Sequence, residues 1–165
     1  MSGKEIAVIF CVDNCWKLAM RYEFTNDWFA HHRPLWKQLL PKIKPSRIVE
    51  IGCFEGQCTS FLIETASKDN CLEMFCIDTF EGGVEHQKGG VAETDMTAVE
   101  TRFLNNIEIA KSKAENDVSI TVLKGRSDRK LASLLAVEDL QPFDFIYVDG
   151  SHIAALLLTY FYNNF

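Results

Sequence analysis

The chain has 165 residues, 47% of them hydrophobic and 24% charged, enough to bury the core of one globular domain and too polar for a membrane-embedded one. A net charge of −6 without an arginine- or lysine-rich stripe excludes a nucleic-acid backbone as the main partner and leaves small molecules, sugars or proteins. Six cysteines contain no C-x-x-C pair and several fall in predicted strands, where a thiol acts as a small hydrophobe, so a reducing, cytoplasmic setting is expected. A tetrahedral zinc site is the minor alternative for them.

Residues 1–23 are expected to form an N-terminal extension and 24–165 the domain proper. The apolar run Ile6 to Val12 is too short to span a bilayer, is followed by Asp13 and Asn14, and lacks a small-x-small cleavage site. An added strand or packed segment is the preferred reading. Asn26 or Thr25 can cap a helix running from Asp27 to about Leu40, with Trp28, Leu35 and Leu39 facing the core and Pro41 and Pro45 closing it.

Arg47 to Ile51 then reads as a buried strand, followed by the turn Gly52-Cys53-Phe54-Glu55-Gly56. Cys58, Phe61, Leu62 and Thr65 recur at helical spacing, and Met74 to Asp78 forms a second strand. A strand, glycine turn, helix and strand ending in acid build a nucleoside pocket: the glycines let backbone approach a ligand, and the helix offers unpaired N–H groups. Asp78 follows Gly56 by 22 positions, near the spacing at which a second-strand carboxylate accepts both ribose hydroxyl protons. Phe54 stands where a dinucleotide fingerprint needs its second glycine, which disfavours NAD; no lysine follows Gly56, which disfavours a phosphate loop. Glu50 and Glu55 crowd the same turn. A phosphate-free adenosine ligand carrying positive charge fits, and S-adenosylmethionine has both a sulfonium and an ammonium group.

Glu81 to Gly90 is a polar stretch with two glycine pairs, either a flap over the site or surface disorder. Val99, Phe103, Ile107 and Ala110 mark a second crossover helix, and Ser119 to Leu123 a third strand ending at Gly125-Arg126-Ser127-Asp128. Leu131, Leu134 and Leu135 mark a third helix, and Phe143 to Val148 a continuous apolar strand. Alternating strands and helices of this kind specify an α/β, Rossmann-like doubly wound parallel sheet of strand order 3-2-1-4, with the ligand crevice at the strands' carboxyl ends. Gly52, Asp78, Ser127 and Asp149 would all reach that crevice.

The runs Glu50-Ile51-Gly52-Cys53-Phe54-Glu55-Gly56, Ile77-Asp78-Thr79-Phe80-Glu81-Gly82-Gly83 and Phe143 to His152, the last ending Asp149-Gly150-Ser151-His152, resemble the class I S-adenosylmethionine-dependent methyltransferases with E-I-G-x-x-x-G, I-D-T-[FW]-x-G-G and D-G-S-H motifs. The resemblance implies cofactor binding by Glu50, Gly52, Gly56, Asp78 and Thr79. It implies the same for Ser127 and Asp128 at the adenine edge, which read equally as a helix N-terminus. For O-methyl transfer to a small hydroxylated or sugar-like acceptor, His152 is the base candidate, oriented by Asp149; a helix-capping role is its alternative. Asp149 with His152 is alternatively the start of a Mg2+ site, since the related enzymes use an acid here and further acids after the next strand.

That family continues beyond its fourth strand with a helix, a fifth strand and a hairpin. Here the chain ends at Phe165, so missing C-terminal strands are expected. An exposed fourth-strand edge and homo-oligomerisation through it follow. A non-catalytic remnant or interaction module that keeps the fold is the second reading. A short F-C-x-D likeness to nucleotide-sugar glycosyltransferases near Cys11 is a distant third.

Overall fold

The computed structural model describes residues 21–150. The apolar run Ile6 to Val12, Ser151, His152 and the terminal helix expected around Leu156 lie outside the described residues.

Four strands, β1 (Arg47–Ile51), β2 (Leu72–Asp78), β3 (Val118–Lys124) and β4 (Phe145–Val148), form one parallel sheet in the order β3-β2-β1-β4. This is the expected order. β1 is the central strand because it is apolar on both faces: Ile48 and Val49 are fully buried and Ile51 nearly so. Its register sets Glu50 between Cys76 of β2 and Tyr147 of β4, and Ile51 between Ile77 and Val148. Asp144 fixes the start of β4, its Oδ2 accepting the Ser46 N–H (2.7 Å), the Ser46 hydroxyl (2.7 Å) and the Arg47 N–H (2.9 Å). Those bonds, the Ser46 hydroxyl foremost, hold its carboxyl below the usual range.

Helices α2 (Gln57–Ala66) and α3 (Val99–Lys113) cover one face. Leu62, Met74, Phe103 and Ile107 belong to the larger core beneath them. Helix α4 (Ser127–Leu135) covers the other face, where Leu134 packs with Val49, Ile51, Phe75 and Ile77. Two helical layers follow from strands that are apolar on both sides. The outer strand β4 leaves Ile146 and Val148 exposed.

Helix α1 (Arg33–Ile43) differs from expectation at both ends. It begins at Arg33 rather than Asp27: Thr25, the expected cap with Asn26, is drawn to Glu55 through both its N–H (2.6 Å) and its hydroxyl (2.8 Å), turns fill 28–32, and Pro34 in the first turn starts the helix. Pro41 lies inside the last turn, and Lys44 in a left-handed conformation (φ 49°) ends it with an N–H bond to Leu40 O. Leu40 is the buried residue of this helix, while Leu35 is exposed and so is Trp28. The apolar face expected through Trp28, Leu35 and Leu39 therefore does not form.

A buried polar knot ties the segment before α1 to the domain. Glu55, 1% exposed, accepts from Arg102 Nε (2.6 Å) and from the Thr25 N–H (2.6 Å), while Asn106 bonds the carbonyls of Glu23 and Glu55. Tyr22 bonds Glu64 (2.5 Å), so the attachment starts within the stretch assigned by sequence to the N-terminal extension. Glu55 borders the cavity, and its charge is paired with Arg102.

Candidate functional site

At the carboxyl ends of the strands, β1 runs into Gly52 (φ +87°), whose N–H bonds Ile77 O at 2.9 Å. A Cβ built on Gly52 would lie 2.3 Å from the Asp149 carbonyl oxygen. The close approach that demands glycine here is thus made by the end of β4. Gly56 (φ +77°), at the N-terminus of α2, would press a Cβ within 2.9 Å of the Phe103 ring. Both turn glycines have packing reasons inside the protein, where sequence reasoning invoked a ligand. Gly52 still borders the cavity; Gly56 lies beneath it, outside the lining.

Asp78 holds the turn. Its Oδ2 accepts the Cys53 and Phe54 N–H groups (2.7 and 2.9 Å), and its Oδ1 accepts the Phe80 N–H (2.7 Å). A carboxylate offers about four lone-pair positions, so roughly one, on Oδ1, is left for a ligand. The two ribose bonds expected of Asp78 therefore exceed the one position its main-chain partners leave open. The arrangement also forces Phe54 into positive φ (+49°), costly for a side chain of this size and sustained by the two N–H bonds to Asp78.

Glu50 is fully buried and lies behind the cavity wall. Its Oε2 accepts the Thr59 hydroxyl at 2.6 Å, while Oε1 has no hydrogen-bond partner. Burial pushes its carboxyl up to about 8; the Asp149 and Asp78 charges add to this, and the Thr59 bond and the nearby Cys58 thiol oppose it. Cys53 and Cys76 bring their sulfurs within 4.8 Å of the carboxylate. Cys53 Sγ stands 3.8 Å from the carbonyls of Glu50 and Ile77, and burial raises its thiol further, so it behaves as the buried small hydrophobe that the sequence suggests.

Asp149 follows β4, bonded through its N–H to Ile51 O (2.8 Å), and its Oδ2 accepts the Tyr147 hydroxyl (2.9 Å). Burial first, then the Asp149 charge, raises the Tyr147 phenol far above its ordinary value. On the far side, Ser127 and Asp128 open α4. Their helix has Arg126 as N-cap without a side-chain capping bond, and Arg126 pairs with Asp128 at 3.0 Å. Thr79 accepts the Glu81 N–H at 3.2 Å.

Gly52, Asp78, Thr79, Ser127, Asp128 and Asp149 all line one cavity of about 880 Å³. The expected flap is folded over it. A short 3-10 turn, Val84–His86, places the His86 ring 5.9 Å from Phe54 and 5.5 Å from Trp28, while Trp28 and Phe54 meet at 4.9 Å. His86 Nδ1 accepts the Gly83 N–H (3.0 Å). These three rings are the site feature that sequence reasoning missed. Phe54 in a glycine's place was the available signal.

The parallel β3-β2-β1-β4 sheet, with a cavity bounded by the turn after β1 and the acid after β2, defines a Rossmann-like, doubly wound domain. A family model described as "Methyltransferase domain" matches residues 49–163, and the chain belongs to that family, in keeping with the class I S-adenosylmethionine-dependent methyltransferase motifs. A comparison with curated proteins gives no match. Among solved structures, the chain is similar to the O-methyltransferase TomG from Streptomyces achromogenes, involved in tomaymycin synthesis and solved with SAM (20% identity, TM-score 0.49, 73% of this chain and 44% of that one). It is also similar to an O-methyltransferase from Bacillus cereus solved with SAH (19% identity, TM-score 0.49, 77% and 47%). The chain spans less than half the length of either.

Proposed function

We propose that this chain binds S-adenosylmethionine and serves methyl transfer to a hydroxyl of a small acceptor. The observation that carries the reading is electrostatic. Glu50, Asp78 and Asp149 converge on the turn after β1, and among the described residues none of them has an ion-pair partner. Clustered acids of this kind favour a cationic ligand and oppose a pyrophosphate. The partnerless Oε1 of Glu50 lies behind the cavity wall, where a bridging water would carry its bond toward a ligand ammonium.

In this reading Asp78 uses its remaining lone pair for one ribose hydroxyl, and Asp149, which lines the cavity, holds positive charge at the amino-acid end. Ser127 and Asp128 border the adenine. When bound, the cofactor supplies an electrophilic methyl on positive sulfur. The protein's own work is then alignment and proton removal, with the Trp28-Phe54-His86 roof excluding water. His152, three positions after Asp149, is the proposed base. Among the described residues Asp149 joins no group of three candidate metal ligands.

A cytoplasmic setting is part of the same proposal, supported by free Cys53, Cys58, Cys71 and Cys76. Among the described residues no helix is long and apolar enough to cross a membrane. Self-association along β4 is proposed from the exposure of Ile146 and Val148. A thermal-shift screen against S-adenosylmethionine, S-adenosylhomocysteine, NAD and a UDP-sugar tests the cofactor assignment. Stabilisation by the first two alone is expected, and stabilisation by NAD or the UDP-sugar alone would overturn it.

A further inference from the structure

Three rings, Trp28, Phe54 and His86, line the cavity beside the turn after β1. Trp28 comes from the segment before α1, Phe54 from the turn after β1, and His86 from the folded flap. Distant parts of the chain thus build one aromatic wall. Trp28 is 42% exposed although its neighbours are half-buried, so much of its indole surface is available to a ligand. Phe54 holds the positive φ that the Asp78 bonds impose, and its ring, packed against the core, meets both Trp28 and His86.

The wall also lies apart from the adenine side. Ser127 and Asp128 border the cavity from α4, which follows the edge strand β3, whereas the wall is tied to β1, two strands across the sheet, and to α2. Phe29 donates its N–H to Gln57 Oε1 (3.1 Å), and Gln57 Nε2 bonds Asp27 (2.7 Å), so the Trp28 segment is moored to the start of α2. The cavity volume of about 880 Å³ is near the top of the ~300–1,000 Å³ range of small-molecule sites, enough for a second, modest-sized molecule beside a nucleoside.

We infer that the Trp28-Phe54-His86 wall is the acceptor subsite and that it selects a flat, conjugated ring carrying a hydroxyl, in preference to a sugar. Stacking on an indole face rewards a planar π-system. The bond from the Gly83 N–H to His86 Nδ1 makes that nitrogen an acceptor and leaves the proton of the neutral ring on Nε2. His86 is therefore a hydrogen-bond donor toward an acceptor oxygen, a positioning group rather than the base. This inference rests on the cavity also holding the cofactor.

The test is a fluorescence titration of the 165-residue chain with umbelliferone, a flat hydroxylated ring, at saturating S-adenosylhomocysteine, with methyl glucoside as competitor and calorimetry of S-adenosylhomocysteine in parallel. Umbelliferone should bind and resist displacement by the glucoside. Trp28→Ala should weaken it about tenfold, Trp28→Phe should keep most of the affinity, and S-adenosylhomocysteine binding should stay within about twofold in both variants. Glucoside binding without umbelliferone binding, or no effect of Trp28→Ala, would overturn the inference while leaving the cofactor reading intact. A tenfold loss of S-adenosylhomocysteine affinity in Trp28→Ala would assign the wall to adenine and overturn it as well. If the wild-type chain binds no S-adenosylhomocysteine, the cofactor reading fails, and the inference that rests on it fails too.

Discussion

The buried carboxyl of Glu50 makes a prediction that can be worked through from the structure. Its side chain is fully buried, one oxygen is bonded to Thr59 and the other has no partner, and burial raises its pKa from 4.5 to about 8. In the unfolded chain the group ionises near its ordinary value. Below pH 4.5 both states are protonated and its contribution to stability is fully present. As pH rises toward 8 the unfolded state loses its proton first, so folding stability falls, and the loss is complete once the folded carboxyl ionises as well. At about 1.4 kcal/mol per pH unit the full loss is about 5 kcal/mol, an upper bound because water entry and local relaxation ease a buried charge. Glu50→Gln keeps the shape without the ionisation. Urea unfolding of both proteins from pH 5 to 8.5 should give curves that agree near pH 5 and separate above it, the variant becoming the more stable by up to that amount. Their difference cancels the histidines common to both. Parallel curves across the range would refute the reasoning and mean that Glu50 is charged or solvated in the folded protein.

Gly52→Ala should destabilise by about 3 kcal/mol or more, since the residue holds φ +87° and its Cβ would meet the Asp149 carbonyl, which cannot yield without parting β1 from β4. Gly56→Ala should cost less, because its contact is with the Phe103 ring; urea midpoints in the reverse order would contradict the packing explanation. Asp78→Ala removes the acceptor for three backbone N–H groups and should cost about 3–5 kcal/mol in addition to weakening ligand binding. An Asp78→Ala protein of wild-type thermal stability would place the carboxylate's role on the ligand alone. Arg102→Ala should cost about 3–5 kcal/mol by leaving Glu55 buried without its cation, and adding Glu55→Gln should recover part of it in thermal melts.

The sheet was legible because its signals are local and redundant. Ile48, Val49 and Ile51 can only be a buried strand, and Val99, Phe103, Ile107 and Ala110 repeat at one helical face and are all buried. Helix α1 was misjudged because Glu55, thirty positions away, draws the Thr25 backbone and hydroxyl to the turn after β1, a contact no local pattern reveals. The same holds at the site. Gly52, Asp78, Ser127 and Asp149 were brought together by topology alone, yet the partners of Asp78 are main-chain groups, which carry no sequence signature. The aromatic roof escaped because Trp28, Phe54 and His86 come from three separate segments.

The central claim is that Asp78 and Asp149 at the cavity, with the protonated Glu50 buried behind them, prepare it for a nucleoside bearing an ammonium group. Calorimetric titration of the 165-residue chain with S-adenosylhomocysteine, adenosine and NAD tests it most directly, since the first carries the ammonium group, the second lacks it and the third brings phosphates. S-adenosylhomocysteine should bind at least about tenfold more tightly than adenosine, the worth of one charge-assisted contact, and NAD should give no heat. Equal affinity for adenosine and S-adenosylhomocysteine, or tighter binding of NAD, would contradict the account.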